Sequence, residues 1–327
     1  MIPEISVCIP VYDTENYLAC CLRSVLLQDF DSFEVIIVSD ASCGKDSLGR
    51  KAGKIIKITQ KECQKERKSR GLGKVPITFI ENKENRGIFE VRRTLTTQAR
   101  GKYICFVDSV DALEAGALKT LYNTADGTVF DIIQAASVSG TFDSEGQFTQ
   151  SKENRYSNII FGSLQGREIF SRWLHGDLTG ILWAKLFRRE LVEKAYSQIP
   201  YTECNMADDI LLFFYISQMA QNYFGIQTCV YRYRVNSGMS SERKIDTLHK
   251  WQLICSSASV FTIFSQAENL SDDDMECLRR HARTYLLTII QLMERNVIPE
   301  LREQAYEMLC EWWGKDFVEA IKFASEK

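Results

Sequence analysis

Within its first 140 residues the chain alternates short, apolar, β-rich runs with stretches of helical period, and few folds accept that alternation. ISVCIPVY (5–12), FEVIIVSD (33–40), VPITFIE (75–81) and YICFVD (103–108) are the β-rich runs. Between them lie YLACCLRSVLLQ, in which Leu18, Leu22, Val25 and Leu26 recur at helical spacing behind Asp13 and Thr14 as candidate caps, and FEVRRTLTTQA. Strands that are apolar on both faces and alternate with helices predict a mainly parallel α/β sheet. Ligands of such sheets sit at the carboxyl ends of the strands, which makes Pro10 to Tyr12, Asp40 and Asp108 one candidate site.

Beyond residue 150 the pattern loosens through ILWAKLFRRELVEKAY, ADDILLFFYISQMA and QTCVYRYRVNSGMSS, read as a helix, a strand and a polar loop towards its end. From about 241 onward the pattern is helical, including RRHARTYLLTIIQLMERNV and EQAYEMLCEWWGKDFVEAIKFA. The expected organisation is therefore a nucleotide-binding half (1–140), an acceptor half (141–240) and a helical C-terminal region (241–327). The Trp312-Trp313 pair reads as core or dimer contact, because the polar faces beside it mix acids with bases.

With 327 residues, 45% hydrophobic and 25% charged, the chain has ample material for a core, and a net charge of −3 argues against a nucleic-acid partner. The charge is nevertheless polarised: residues 45 to 74 hold eleven basic and three acidic side chains, leaving 29 basic and 40 acidic elsewhere. Gly71-Leu72-Gly73 lacks the third glycine of a dinucleotide loop, and Gly49 to Lys54 has the wrong spacing for a phosphate loop. The segment reads first as a solvated helix and loop, and second as a patch for an anionic partner. Eleven cysteines without a CxxC pair read as reduced, cytosolic thiols, and the scattered His175, His249 and His281 suggest no metal cluster. The N-terminus has no signal-peptide pattern, and no apolar run reaches the roughly 18 residues of a membrane span.

The ordered set ISVCIPVYDTENYLACCLRSVLLQDF, FEVIIVSDAS, ENRGIFEVRR, GKYICFVDSVD, W-A-K-LFRREL, ADDILLF and YRYRVNSGMS resembles the inverting family-two glycosyltransferases of the GT-A fold. That resemblance implies a Rossmann-like sheet with a C-terminal helical extension. It also implies transfer of a sugar, with inversion, from a nucleotide-sugar donor, a UDP-sugar favoured, to a hydroxyl of a glycan or lipid-linked acceptor. By position Pro10 and Tyr12 would line the base pocket, and Asp40 would accept the N3 hydrogen of a uracil-like base, since a carboxylate only accepts. Arg92 would support the diphosphate or the aspartate motif, and Asp108 would meet the ribose or the metal's outer shell. Asp208 would be the general base, with Asp209 beside it able to exchange roles.

The resemblance also implies Mn²⁺ or Mg²⁺ held by Asp108 and Asp111, yet the third position of the family's DSDD, its usual metal ligand, is Val110 here. Asn236 replaces the histidine that completes the metal shell in some relatives, Ser39 the first acid of VDD, and Ala207 the glutamate before Asp208. Asp111 has a second reading, as cap of a helix expected over 112–118. Without a metal the leaving diphosphate needs side-chain cations, for which Lys185, Arg232 and Arg234 are the candidates. An alternative reading is a catalytically silent GT-A domain acting as an assembly partner. IFSRW lacks the glutamine of a QxxRW element, which argues against a processive synthase. The remaining expectations are a cytoplasmic protein, peripheral contact with the inner face of the membrane, and a homodimer.

Overall fold

The computed structural model describes residues 2–125, 127–143, 146–151, 158–235, 237 and 244–325. Two compact units divide the chain, Met1–Ile199 with Leu212–Val235 and Pro200–Leu211 with Asn236–Lys327.

The first unit is built on a mixed sheet. Its first half is parallel, as the sequence predicts: β1 (Ile5–Val11), β2 (Phe33–Ser39), β3 (Ile77–Glu81) and β4 (Tyr103–Phe106) lie in the order β3-β2-β1-β4. Every residue of β1, β2 and β4 is buried, which is why these runs are apolar without alternation. The crossovers are α1 (Glu15–Leu26), α2 (Ala52–Ser69) and α3 (Ile88–Gln98). Leu18, Leu22, Val25 and Leu26, the residues at helical spacing in α1, are all buried, and the basic segment does form a helix, α2.

The second half of the sheet changes direction. The two-residue β5 (Ala112–Leu113) precedes α4 (Ala117–Asn123), and β6 (Ile132–Phe142) pairs antiparallel with β7 (Phe148–Gln150). Next come β8 (Gly162–Gln165), α5 (Arg167–Leu174), β9 (Lys185–Arg188), α6 (Arg189–Gln198), α7 (Asp208–Met219) and β10 (Asn222–Arg234). β9 lies antiparallel between β4 and β6, and β10 runs parallel to β6 while holding β5 and β8 antiparallel. Residues 112–113 are thus a strand rather than the helix expected over 112–118. Their backbone is taken by Tyr231 and Arg232 of β10, and α4 starts only at Ala117, so Asp111 does not cap it.

The second unit contains α8 (Leu248–Cys255), α9 (Ala258–Ser265), α10 (Asp272–Asn296), α11 (Arg302–Trp313) and α12 (Lys315–Ser325). Its core includes Trp251, fully buried, whose indole N–H donates to the Ala305 carbonyl at 2.8 Å. Trp313 is buried against Phe261 and Tyr285, so this member of the tryptophan pair belongs to the core. Pro200–Leu211 joins these helices because Thr202 Oγ1 donates to Ser259 Oγ at 2.9 Å and the Asn205 N–H donates to Ser256 Oγ at 3.0 Å. No sequence periodicity marks such a tether.

Candidate functional site

The carboxyl ends of β1, β2 and β4 are neighbours because the three strands are parallel, and the chain leaves each through a polar turn. The first two turns are tied together. Asp13, with φ +52°, donates its N–H to Ser42 Oγ at 2.9 Å and accepts from the Cys43 N–H at 3.1 Å. Ser42 Oγ donates in turn to the buried Glu15 carboxylate at 2.6 Å. Pro10 is buried within β1, whereas the Tyr12 ring stands 45% exposed just past the strand. Burial and then the nearby charges of Asp13, Cys43 and Asp40 raise the Tyr12 phenol above its ordinary pKa.

Asp40 is only 3% exposed, and its carboxylate organises the loop before α3. Oδ1 accepts from Asn82 Nδ2 at 2.7 Å and the Arg86 N–H at 2.9 Å, while Oδ2 accepts from the N–H groups of Arg86 and Gly87 at 3.0 and 2.9 Å. A carboxylate offers about four lone-pair sites. Three donors meet it, the Arg86 N–H being shared between the two oxygens, so Asp40 clamps the 82–87 loop. Gly87, at φ +81°, is the residue that lets the clamped loop turn into α3. Asp40→Ala should lower stability by about 2–4 kcal/mol, since each buried group left unpaired costs about 1–3 kcal/mol. Thermal melting checks this, and an unchanged Tm would show that the clamp is dispensable.

The turn after β4, Asp108-Ser109-Val110-Asp111, is held from four sides. Arg92 of α3 donates to Asp108 Oδ1 at 3.0 Å, and Ser109 Oγ shares a 2.7 Å hydrogen bond with Thr14 Oγ1. Thr14 is the N-cap of α1 by position, but its side chain makes no cap hydrogen bond, so the helix start is fastened to the turn instead. Tyr231, fully buried, accepts from the Asp108 N–H at 3.1 Å and donates to Asp111 Oδ2 at 2.9 Å. Arg234 donates its backbone N–H to Asp111 Oδ1 at 2.7 Å and its Nε–H to the Val110 carbonyl at 2.8 Å. The ring of Trp183 stacks on Tyr231 at 4.6 Å between centroids and on Tyr233 at 5.6 Å, which brings the W-A-K and YRYR segments together.

The three candidate cations differ sharply. Lys185 is wholly buried, with Nζ donating to the Ile181 carbonyl at 2.6 Å and lying 5.5 Å from the centre of the Phe213 ring. Arg232 forms a two-pronged pair with Glu114, both contacts at 2.7 Å, so its charge is matched. Arg234 is bonded to the Asp108–Asp111 turn, and its guanidinium carbon lies 4.7 Å from the Tyr17 ring centre and 4.1 Å from that of Phe142.

These residues do not fit a divalent ion. Asp111 is 1% exposed with both oxygens engaged, and burial first and the Asp108 charge second push its carboxyl well above the usual range. Valine offers no oxygen from its side chain, and Asn236 lies outside the described residues. Among the described residues no group of three or more His, Cys, Asp or Glu side chains could hold a metal. Asp108, whose side chain is 30% exposed, is paired with Arg92.

The remaining acids open α7. Ala207 precedes them in the left-handed region at φ +67°, and its carbonyl accepts from the Leu211 N–H at 3.0 Å. Asp208 is 8% exposed, and Asp209 Oδ1 accepts from the Ile210 N–H at 2.8 Å. The two carboxylates thus already differ: Asp209 is bonded to the helix start, whereas Asp208 is the more buried.

The sequence-family model described as "Glycosyl transferase family 2" matches residues 6–195. EpsH of Bacillus subtilis (strain 168) is 27% identical over 237 residues, which cover 72% of this chain and 61% of EpsH. Glycosyltransferase GlyA of Streptococcus pneumoniae serotype 4 is also 27% identical, over 73% of this chain but only 31% of its own length. The chain therefore spans less than two thirds of either relative. Among solved structures, S. aureus TarS 1–349 in complex with UDP superposes with a TM-score of 0.56 at 17% identity, covering 98% of this chain and 92% of that one. Mannosyltransferase PcManGT from Pyrobaculum calidifontis, in complex with GDP-Man and Mn²⁺, gives 0.54 at 15% identity over 99% and 87%. Those two likenesses carry the GT-A fold, and the match over residues 6–195 places the chain in glycosyl transferase family 2.

Proposed function

We propose that the protein transfers a sugar from a nucleotide donor, a UDP-sugar favoured, to a hydroxyl of a glycan or lipid-linked acceptor, with inversion and without a catalytic metal. The observation that carries the reading is Arg234, seated on the Asp108–Asp111 turn where relatives of this family place metal-binding acids. The nucleotide lies across the ends of β1, β2 and β4, with its base beside Pro10 and the exposed Tyr12 ring. Asp108, held by Arg92, faces the ribose, and Asp40 supports the site through its loop rather than by direct contact. The acceptor oxygen attacks the anomeric carbon from behind, Asp208 takes its proton, and the bond to the diphosphate breaks. The diphosphate leaves with about two to three negative charges, which Arg234 offsets. Uridine is favoured because TarS was solved with UDP. No helix among the described residues is long and apolar enough to cross a membrane. A polysaccharide-building role in the cytoplasm, at the inner face of the membrane and as a homodimer, completes the proposal.

Calorimetric titration with UDP, GDP and CDP, each with Mn²⁺ or with EDTA, tests the reading. One nucleotide is expected to bind with the same affinity in both buffers, and Val110→Asp is expected to make that binding Mn²⁺-dependent. Strict Mn²⁺ dependence of the wild type would overturn the role of Arg234. Failure of every nucleotide to bind would overturn the transferase.

A further inference from the structure

The basic segment becomes informative once it is seen to be a helix. Lys51, at the N-cap of α2, and Lys54, Lys57, Lys61, Lys65 and Lys68 are all exposed. At about 100° per residue these six fall within an arc of roughly 120°, along a line of about 26 Å. Ala52, Ile55, Ile56, Thr59, Cys63 and Arg67, the residues that α2 buries, cluster around the opposite direction. No acidic residue falls inside the lysine arc. Glu62 lies at its margin, and Glu66 is paired with Arg23 and Arg70. None of the six lysines has an ion-pair partner among the described residues.

A helix that merely needs a solvated face mixes signs along it, because opposite charges three or four residues apart support the helix and like charges weaken it. Here the spacings 51–54, 54–57, 57–61, 61–65 and 65–68 place like charges in succession along one side. α2 tolerates that repulsion through its buried face and through Arg67, which is 2% exposed and whose guanidinium donates to the carbonyls of Leu26, Gln28, Phe30 and Gly73 and to Asp31. The retained lysines therefore ask for an anionic counterpart that is long, flat and tolerant of register.

We infer that the lysine face of α2 is a docking surface for an anionic lipid bilayer. A straight helix presents a row of charges rather than a groove, which suits a planar partner whose charges move laterally. The row is all lysine, a hydrated point charge, with none of the arginine forks that recognise phosphate in fixed geometry. It also lacks the interleaved aromatic rings with which proteins hold single-stranded nucleic acid. Its field is set against the acidic remainder of the chain, so the attraction orients the molecule as well as holding it. The inference does not depend on the donor or the metal reading of the nucleotide site.

Co-sedimentation of the full chain with vesicles tests it. Binding is expected to vesicles of phosphatidylcholine with 30% phosphatidylglycerol and not to phosphatidylcholine alone. It should fall at least tenfold between 50 and 300 mM salt, as screening shortens the reach of the charges. The triple change Lys57→Glu, Lys61→Glu, Lys65→Glu should reduce partitioning by two orders of magnitude or more, at about fivefold per lysine removed and further for each charge reversed. A triple glutamine variant gives the charge-neutral comparison. Thermal melting and UDP titration of both variants should match the wild type, since none of the three lysines faces the core or the strand ends. Equal binding to neutral and anionic vesicles, or unaltered binding by the glutamate variant, would overturn the proposal. So would binding to inorganic polyphosphate in solution with none to vesicles, which would assign the row to a soluble polyanion.

Discussion

Arg234→Ala is expected to lower sugar transfer by about 10²- to 10³-fold, the loss typical when one preorganised donor to a developing anion is removed. Nucleoside diphosphate affinity should fall less, by about 10- to 100-fold, in line with about 1.5–3 kcal/mol for a hydrogen bond to a charged group. The asymmetry follows from the chemistry, because charge on the diphosphate grows as the glycosidic bond breaks. Arg234→Lys should recover little. Lysine keeps the charge but loses the Nε bond to the Val110 carbonyl and the planar stacking between Tyr17 and Phe142. The decisive arm is the double variant Val110→Asp, Arg234→Ala, which should regain part of the activity only when Mn²⁺ is added. A structural role for Arg234 would not be repaired by a metal. Transfer by Arg234→Ala within twofold of wild type would remove arginine from the mechanism.

The parallel half of the sheet was legible because its signal is local. Strands buried on both faces must be apolar throughout, and β1, β2 and β4 carry that signature in uninterrupted runs. The second half was not, because its strands are assigned by partners distant in sequence. β5 is two residues long and exists only because β10 lies beside it, which no propensity at Ala112-Leu113 would reveal. The tether of Pro200–Leu211 to the C-terminal helices is of the same kind, two hydrogen bonds from a loop without periodicity.

The site was legible in its residue types and less so in their uses. Arg92 was expected at the diphosphate or at the aspartate motif, and in the structure it donates to Asp108. Asp40 was expected to read a base edge, and the structure adds three donors of the 82–87 loop around its carboxylate. Tyr231 and Trp183 stood inside the quoted motifs without an assigned role, although they fasten the Asp108–Asp111 turn to β10. An aromatic residue in a strand is ordinarily core, and nothing in its own neighbourhood in sequence announces a hydroxyl aimed at a carboxylate. Lys185, Arg232 and Arg234 were equivalent as letters. Lys185 is buried, Arg232 pairs with Glu114, and Arg234 donates to the Val110 carbonyl of the turn.

Asp208→Asn should lower transfer by about 10²- to 10⁴-fold, the usual contribution of a positioned general base. The change is isosteric, so packing at this buried position is kept while the proton acceptor is lost. UDP affinity should stay within twofold of wild type, because the base meets the acceptor and not the nucleotide. Asp209→Asn separates the two acids: asparagine keeps an Oδ1 that accepts from the Ile210 N–H at the start of α7, so stability and rate should both change little. The backbone supports a functional reading of this corner, since Ala207 holds φ +67° at a cost of about 1–2 kcal/mol for a residue with a β-carbon. Such strain persists where the surrounding structure fixes it, and it fixes where Asp208 enters the helix. Release of UDP from a UDP-sugar in the presence of acceptor or water gives the rate, and NMR of the product gives the anomeric configuration, which inversion sets opposite to that of the donor. An Asp208→Asn enzyme that keeps more than a tenth of its rate, or an Asp209→Asn enzyme that loses more than Asp208→Asn does, would move the base to another residue.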